Sequence, residues 1–461
     1  MSAARRLARF VAGLSLDAIP PPVVDQAALL ALDTLGNGLA AAGEDFGRAA
    51  LDVAERLGGA PESALLGRAT RVAAANAVLA NATLAHGLDF DDTREDAIVH
   101  TGCVAVTTAL AVGEATGASG RAMVEALIAG VEVMCRVGLA VPGALHARHF
   151  HPTAIAGGFG ALAAAGRLQR LTEAQLTHAF GIVGSQAAGI IEYLADGSWT
   201  KRMHPGWAAH AGVVAALLAR GGFTGPATVL EGEHGLYAAF AGGHDAARLE
   251  GLLDTLGRKW ELGELTLKPY PCGSIGQPYM DCAARLRRRE GIAADTISAI
   301  RCRTSAGPVP RLWEPLAAKH APPNGYAAKF SLPYLIAVIL VKGRAGLAEF
   351  TDAAVRDRDV LTVASRVTYE LDPTIDYPRQ FVGDVEVTLT DGRRLRERQD
   401  RPRGGPDAPL TRAEIEAKFR GNAGLALPAA RADAVVAALS GLAAAPSLKD
   451  LIAALSPESH R

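Results

Sequence analysis

The chain has 461 residues, 49% of them hydrophobic, which is enough for two or three domains around a large core. Lys and Arg number 47 against 48 Asp and Glu, and a net charge of -1 supplies no global field to gather nucleic acid or anionic lipid. The five cysteines, Cys103, Cys135, Cys272, Cys282 and Cys302, are scattered without a CxxC pair, which argues against zinc or dithiol chemistry and fits a reducing, cytoplasmic setting.

Residues 1–16 carry Arg5, Arg6 and Arg9 but no apolar run long enough for a secretory signal, and they read as a first helix. From residue 20 to about residue 245, Ala, Leu, Val and Gly recur at helical spacing, as in residues 23–30, 73–80 and 208–219. Such small side chains let helices approach closely. Thr172 with Gln175 forms a capping-box pattern at the start of one more helix. After residue 270 the period changes to two. Ile300, Cys302 and Thr304 alternate with Arg301 and Arg303, and Val367, Tyr369 and Leu371 alternate with Thr368 and Glu370. Val385, Val387 and Leu389 run into Asp391-Gly392, a hairpin signal, and Leu395 begins the return strand. The apolar stretch 332–341 contains Pro333 and falls far short of the ~20 residues needed to cross a bilayer. Pro402-Arg403-Gly404-Gly405-Pro406 then breaks the strand pattern, and Thr411 with Glu414 caps a final helical segment. The expected fold is therefore mainly α: a large all-helical domain, residues 1–268 completed by 405–461, and a smaller α+β domain over 269–404.

Ten of the twelve histidines lie between His86 and His244, which places candidate acid–base groups in the helical domain. Four segments stand out. Asp89, Asp91 and Asp92 crowd between His86 and His100, and three carboxylates so close require solvent, cationic partners or a bound cation. A solvated helix end is the plain alternative. His146, His149 and His151 precede a glycine-rich helix and either move protons near neutrality or simply cap and pack. Lys201-Arg202-Met203-His204-Pro205 reads as an anion clamp, and Lys268-Pro269-Tyr270-Pro271-Cys272 reads as either a stiff linker or a presented lysine. Magnesium on the aspartates, as in an all-helical terpenoid synthase, lacks both a second metal motif and the aromatic pocket, since only 5% of residues are aromatic. Nucleotide-loop and HExxH patterns are absent from the sequence.

Taken together, the segments resemble the MmgE/PrpD family, which includes 2-methylcitrate dehydratase, cis-aconitate decarboxylase and iminodisuccinate epimerase. The markers are Leu32-Asp33-Thr34-Leu35-Gly36, Asp89 to Thr93 with His100, His151-Pro152-Thr153, Lys201 to Gly206, Lys268 to Cys272 and Lys329 to Tyr334. The resemblance implies that the α+β domain is a lid, that the chain is a homodimer, and that no metal or organic cofactor is used. It implies catalytic roles for Asp89, His100, His151 and Lys201, and substrate binding by Thr93, Arg202, His204, Lys268 and Gln277. Two departures stand out. Gln277 occupies a place where the family often has His, exchanging a proton-transfer group for one that only hydrogen-bonds. His100 is followed by Thr101 where the family commonly has Pro.

The implied chemistry passes through a carbanion or enediolate beside a carboxylate, which needs cations for the developing charge and a base of tuned pKa. On this reading Lys201, Arg202 and Lys268 hold substrate carboxylates. His151 or Lys201 exchanges the proton at carbon, Asp89 orients a His or Lys, and His100 is the general acid. The leading expectation is a hydro-lyase on a small di- or tricarboxylate of the 2-methylcitrate dehydratase type, with decarboxylation or epimerisation as enzymatic alternatives. A non-catalytic carboxylate-binding protein is the alternative outside enzymes.

Overall fold

The computed structural model describes residues 1–377 and 380–456. It divides into two compact units: Met1–Leu267 together with the chain from Thr411 onward, and Lys268–Leu410. The protein is mainly α.

The first unit is built on helices α1 (Pro21–Ala41), α2 (Ala74–Gly87), α3 (Gly102–Ala115), α4 (Gly120–Leu139), α5 (Pro152–Leu168) and α6 (Thr200–Arg220). Proline opens α1 and α5, where its missing N–H costs nothing. In α5 every residue but Arg167 is buried, which makes it the central helix. Its small residues are what permit this. A Cβ added to Gly160 would stand 2.9 Å from the Gly130 carbonyl of α4, and one added to Gly212 of α6 would stand 2.7 Å from the Gly158 carbonyl of α5. Backbone thus meets backbone on two sides of α5. The N-terminal helix Ala3–Gly13 and the Thr172–Gln175 capping box both form.

The second unit contains, in chain order, α7 (Gln277–Glu290), β1 (Ile297–Thr304), α8 (Leu332–Lys342), β2 (Val367–Leu371), β3 (Gly383–Leu389) and β4 (Arg394–Gln399). The sheet order is β2-β1-β3-β4, with β1 and β2 parallel and the other neighbours antiparallel. Ile300, Cys302 and Thr304 face inward while Arg301 is exposed, as the alternation requires. Gly392, at φ 89°, turns the β3–β4 hairpin. The apolar stretch 332–341 is α8, capped by Ser331 and buried in this unit's core. Among the described residues no helix is long and apolar enough to cross a membrane.

The chain then returns to the first unit as α9 (Arg412–Ala423), opened by the Thr411–Glu414 capping box. Helix α9 lies against α1, where Phe419 sits over Gly36 so closely that a Cβ there would be 2.9 Å from the ring. That contact brings Lys418 to within 2.7 Å of Asp33.

Candidate functional site

The chain leaves α2 through Leu88 and turns at Asp89, whose φ of 58° is left-handed. In a non-glycine residue such backbone costs about 1–3 kcal/mol and persists where its surroundings fix it. Here the fixing contacts come from three distant helices. Lys201 Nζ, in the first turn of α6, donates to Asp89 Oδ2 at 2.8 Å. The next carbonyl, that of Phe90, accepts from Asn37 Nδ2 of α1 at 3.1 Å and from Lys418 Nζ of α9 at 2.7 Å. Ile98 and His149, two residues ahead of His100 and His151, also have positive φ.

Asp91 and Asp92 do not form a solvated helix end or pair on an outer face, because both are completely buried. Asp92 closes the start of α3: its carboxylate accepts from the Thr101 N–H and hydroxyl at 2.9 and 2.8 Å and from the Gly102 N–H at 2.8 Å. Burial and the adjacent Asp91 push its carboxyl up to about 7, against those donors. Asp91 turns the other way, with Oδ2 accepting from His86 Nδ1 at 2.7 Å. The aspartates therefore do separate tasks. Asp89 pairs with a cation, Asp91 orients an imidazole and Asp92 caps a helix.

Four imidazoles gather beside this loop. The ring centroids of His86 and His100 are 4.7 Å apart, those of His86 and His151 5.5 Å, and those of His151 and His204 5.2 Å. His100 Nδ1 lies 2.7 Å from the Asp92 carbonyl, which can only accept, so Nδ1 carries a proton. Thr93 Oγ1 is 3.4 Å from the same nitrogen, and a backbone bridge with Thr266 holds Thr93 in place. His151 is the N-cap of α5, and its Nδ1 lies 3.1 Å from His204 Nδ1, so one ring donates to the other. Burial holds His151 well below the usual imidazole value, and His86, Lys201 and His204 add to the effect. Burial, then His86 and Lys201, lowers His204 to about 4. Both rings are neutral near pH 7 and able to accept a proton. Tyr193 closes one side, its ring centroid 6.3 Å from His151 and 5.9 Å from His204.

The structure thus brings Asp89, Thr93, His100, His151, Lys201 and His204 into one cluster and adds His86 and Asp91, which sequence reading left without a role. The five-residue separation of His86 and Asp91 across a helix end was the available signal. Other sequence candidates have different surroundings. His149 is exposed and His146 half-buried, so of that trio His151 alone enters the cluster. The Arg202 guanidinium lies 4.3 Å from the centre of the Phe46 ring, a cation–π contact. Lys268 and Gln277 belong to the second unit. Lys268 is buried there. The Gln277 amide ties down its own loop: Oε1 accepts from the Tyr270 N–H at 3.2 Å, and Nε2 donates to the carbonyls of Tyr270 and Cys272 at 2.9 and 3.2 Å.

Comparison with known proteins finds the MmgE/PrpD N-terminal domain over residues 5–249 and the MmgE/PrpD C-terminal domain over residues 270–441. The chain is 25% identical to a cis-aconitate decarboxylase-like protein of Aspergillus oryzae, over 98% of this chain and 97% of that one. It is 24% identical to cis-aconitate decarboxylase of Aspergillus terreus, over 91% and 88% of the two chains, and 27% identical to cis-aconitate decarboxylase of Homo sapiens, over 89% and 85%.

Proposed function

Because the chain belongs to the MmgE/PrpD family, we propose that it is a lyase acting on a small di- or tricarboxylate with its own side chains as the catalytic groups. The observation that carries the proposal is the convergence of two neutral imidazoles, His151 and His204, on the Lys201–Asp89 pair inside one buried cluster. Lys201, fixed by Asp89, supplies the positive charge that holds a substrate carboxylate and stabilises charge developing beside it. His151 is the group that moves the proton at carbon, with His204 as its hydrogen-bonded relay. His100, its Nδ1–H anchored on the Asp92 carbonyl, presents Nε2 as the second acid–base group.

Sequence reading put a hydro-lyase first. The named relatives support placing decarboxylation of a cis-aconitate-like acid ahead of it. In that step the carbon–carbon bond to the departing carboxylate breaks, CO2 leaves, and the electron pair remains on carbon as a carbanion conjugated with a second carboxylate. A proton taken up from solvent and passed through the imidazole cluster then completes the product. A dehydration would instead expel hydroxide after proton removal from the same kind of carbon.

Incubation with cis-aconitate, citrate and 2-methylcitrate in heavy water, followed by NMR, tests the proposal. The expected result is CO2 release from cis-aconitate, deuterium in the product, and loss of turnover in Lys201→Ala and His151→Ala. If no acid is turned over or exchanges label, the lyase reading fails. Assembly as a homodimer belongs to the same proposal. The exposed stripe of Trp199, Met203 and Trp207 supports it, and sedimentation at the mass of a single chain would refute it.

A further inference from the structure

His86 Nδ1 is spent on Asp91, and His86 Nε2 is sealed from solvent without a hydrogen-bond partner. An unsatisfied buried polar atom costs about 1–3 kcal/mol, so a ligand that engages it has that much to recover. Two further imidazoles stand beside it: one nitrogen from each of His86, His100 and His151 lies within 4.8 Å of the others, and all three residues are buried. We propose that these three histidines form a site for one divalent transition-metal ion of the zinc class, and that its occupancy switches off the carboxylate chemistry.

The donor set selects the ion. Three imidazole nitrogens suit zinc, cobalt or nickel, whereas magnesium and calcium require oxygen ligands. At a metal–nitrogen distance of about 2.0–2.1 Å, tetrahedral nitrogens are roughly 3.4 Å apart, so the rings need to close by up to about 1.4 Å. Their outer nitrogens are already held in the manner of metal-binding histidines. His86 Nδ1–H points to the Asp91 carboxylate and His100 Nδ1–H to the Asp92 carbonyl, which makes Nε2 the ligating atom of each ring. His151 has its Nδ1 against His204. The buried Asp91 carboxylate supplies negative charge behind the site, and the ammonium of Lys201 is balanced by Asp89 2.8 Å away. A second donor set, His86 with Asp91 and Cys103, is also compact, but there His86 Nδ1 and Asp91 Oδ2 already hydrogen-bond to each other at 2.7 Å.

The site itself stands on these nitrogens alone. Its inhibitory consequence rests on the proposed function, because His100 and His151 cannot ligate an ion and exchange a proton together. The test is direct. Protein freed of metal with a chelator is titrated with zinc chloride by calorimetry, and with cobalt chloride by visible absorption. One ion per chain is expected, with a cobalt spectrum of a low-coordinate nitrogen site. His86→Gln should abolish stoichiometric binding. Asp91→Asn, which keeps all three ligands, should weaken it about 10–100-fold. Circular dichroism melts show whether each variant is folded. Zinc binding that is absent, or equal in wild type and folded His86→Gln and Asp91→Asn, overturns the site. Turnover in chelator should vanish with one equivalent of zinc and return with excess chelator, and full turnover with zinc bound overturns the switch. Absence of turnover in chelator counts against the lyase proposal, while calorimetry still decides the site.

Discussion

Lys418→Met tests whether the returning helix α9 holds the loop that carries Asp89. The native ammonium is 2.7 Å from Asp33 Oδ1, 2.7 Å from the Phe90 carbonyl and 3.7 Å from the centre of the Phe90 ring, and its side chain is only 7% exposed. Methionine keeps most of the volume but strands the fully buried Asp33 carboxylate. Removing one partner of a buried ion pair costs about 3–5 kcal/mol. The Phe90 carbonyl keeps its Asn37 donor, so that contact adds little to the loss. Burial already pushes the Asp33 carboxyl above its ordinary value, with Lys418 opposing the shift. Without Lys418 the folded variant takes up a proton that the unfolded chain, titrating near 3.9, does not hold at neutral pH. Stability of the variant therefore falls as pH rises above about 4, and the penalty at pH 8 exceeds that at pH 5. Urea unfolding followed by far-UV circular dichroism at both pH values measures this. The double variant Asp33→Asn, Lys418→Met should recover most of the loss, since removing both charges leaves none stranded. A single-variant cost below about 1 kcal/mol at pH 8, or a double variant no better than the single, would refute the reasoning.

Lys201→Met should lower kcat/KM on the acid that proves to be the substrate by about 10²–10⁴-fold and also lower the melting temperature, because it strands the buried Asp89 carboxylate, whereas Asp89→Asn should lower kcat/KM in the same direction. Gly102→Ala should destabilise the first unit by about 1–3 kcal/mol in the same urea assay, because its Cβ would stand 2.3 Å from Thr34 Oγ1 and 2.6 Å from Asp92 Oδ1. Burial raises the thiols of Cys103, Cys135 and Cys302 well above their usual range and that of Cys282 to about 12. Aromatic disulfide reagents should accordingly leave these four unmodified in the native protein and react only after unfolding.

Much of the fold was legible because its signals are local. Alternation of Ile300, Cys302 and Thr304 with arginines places side chains on two faces whatever the strand pairs with, and Asp391-Gly392 specifies a turn through its own backbone. Capping boxes at Thr172 and Thr411 likewise close within four residues. Glycine and alanine enrichment announces close helix packing without saying which helices meet.

The site is a different matter, because its members come from α2, the loop after it, α5 and α6. Charge crowding in Asp89-Phe90-Asp91-Asp92-Thr93 is visible in the sequence, yet the three carboxylates are identical in type and neighbours in chain. Only packing assigns Asp89 to Lys201, Asp91 to His86 and Asp92 to the start of α3. Similarly, His149 and His151 look alike in sequence, but His149, in left-handed backbone, is exposed while His151, at the N-cap position of α5, is buried in the cluster. Composition and periodicity determined which elements form, since those depend on neighbours within a few residues. Which imidazoles face one another, and that a lysine 328 residues away anchors the Phe90 carbonyl, was decided by tertiary structure, because helix crossings set those distances and no local spacing encodes them.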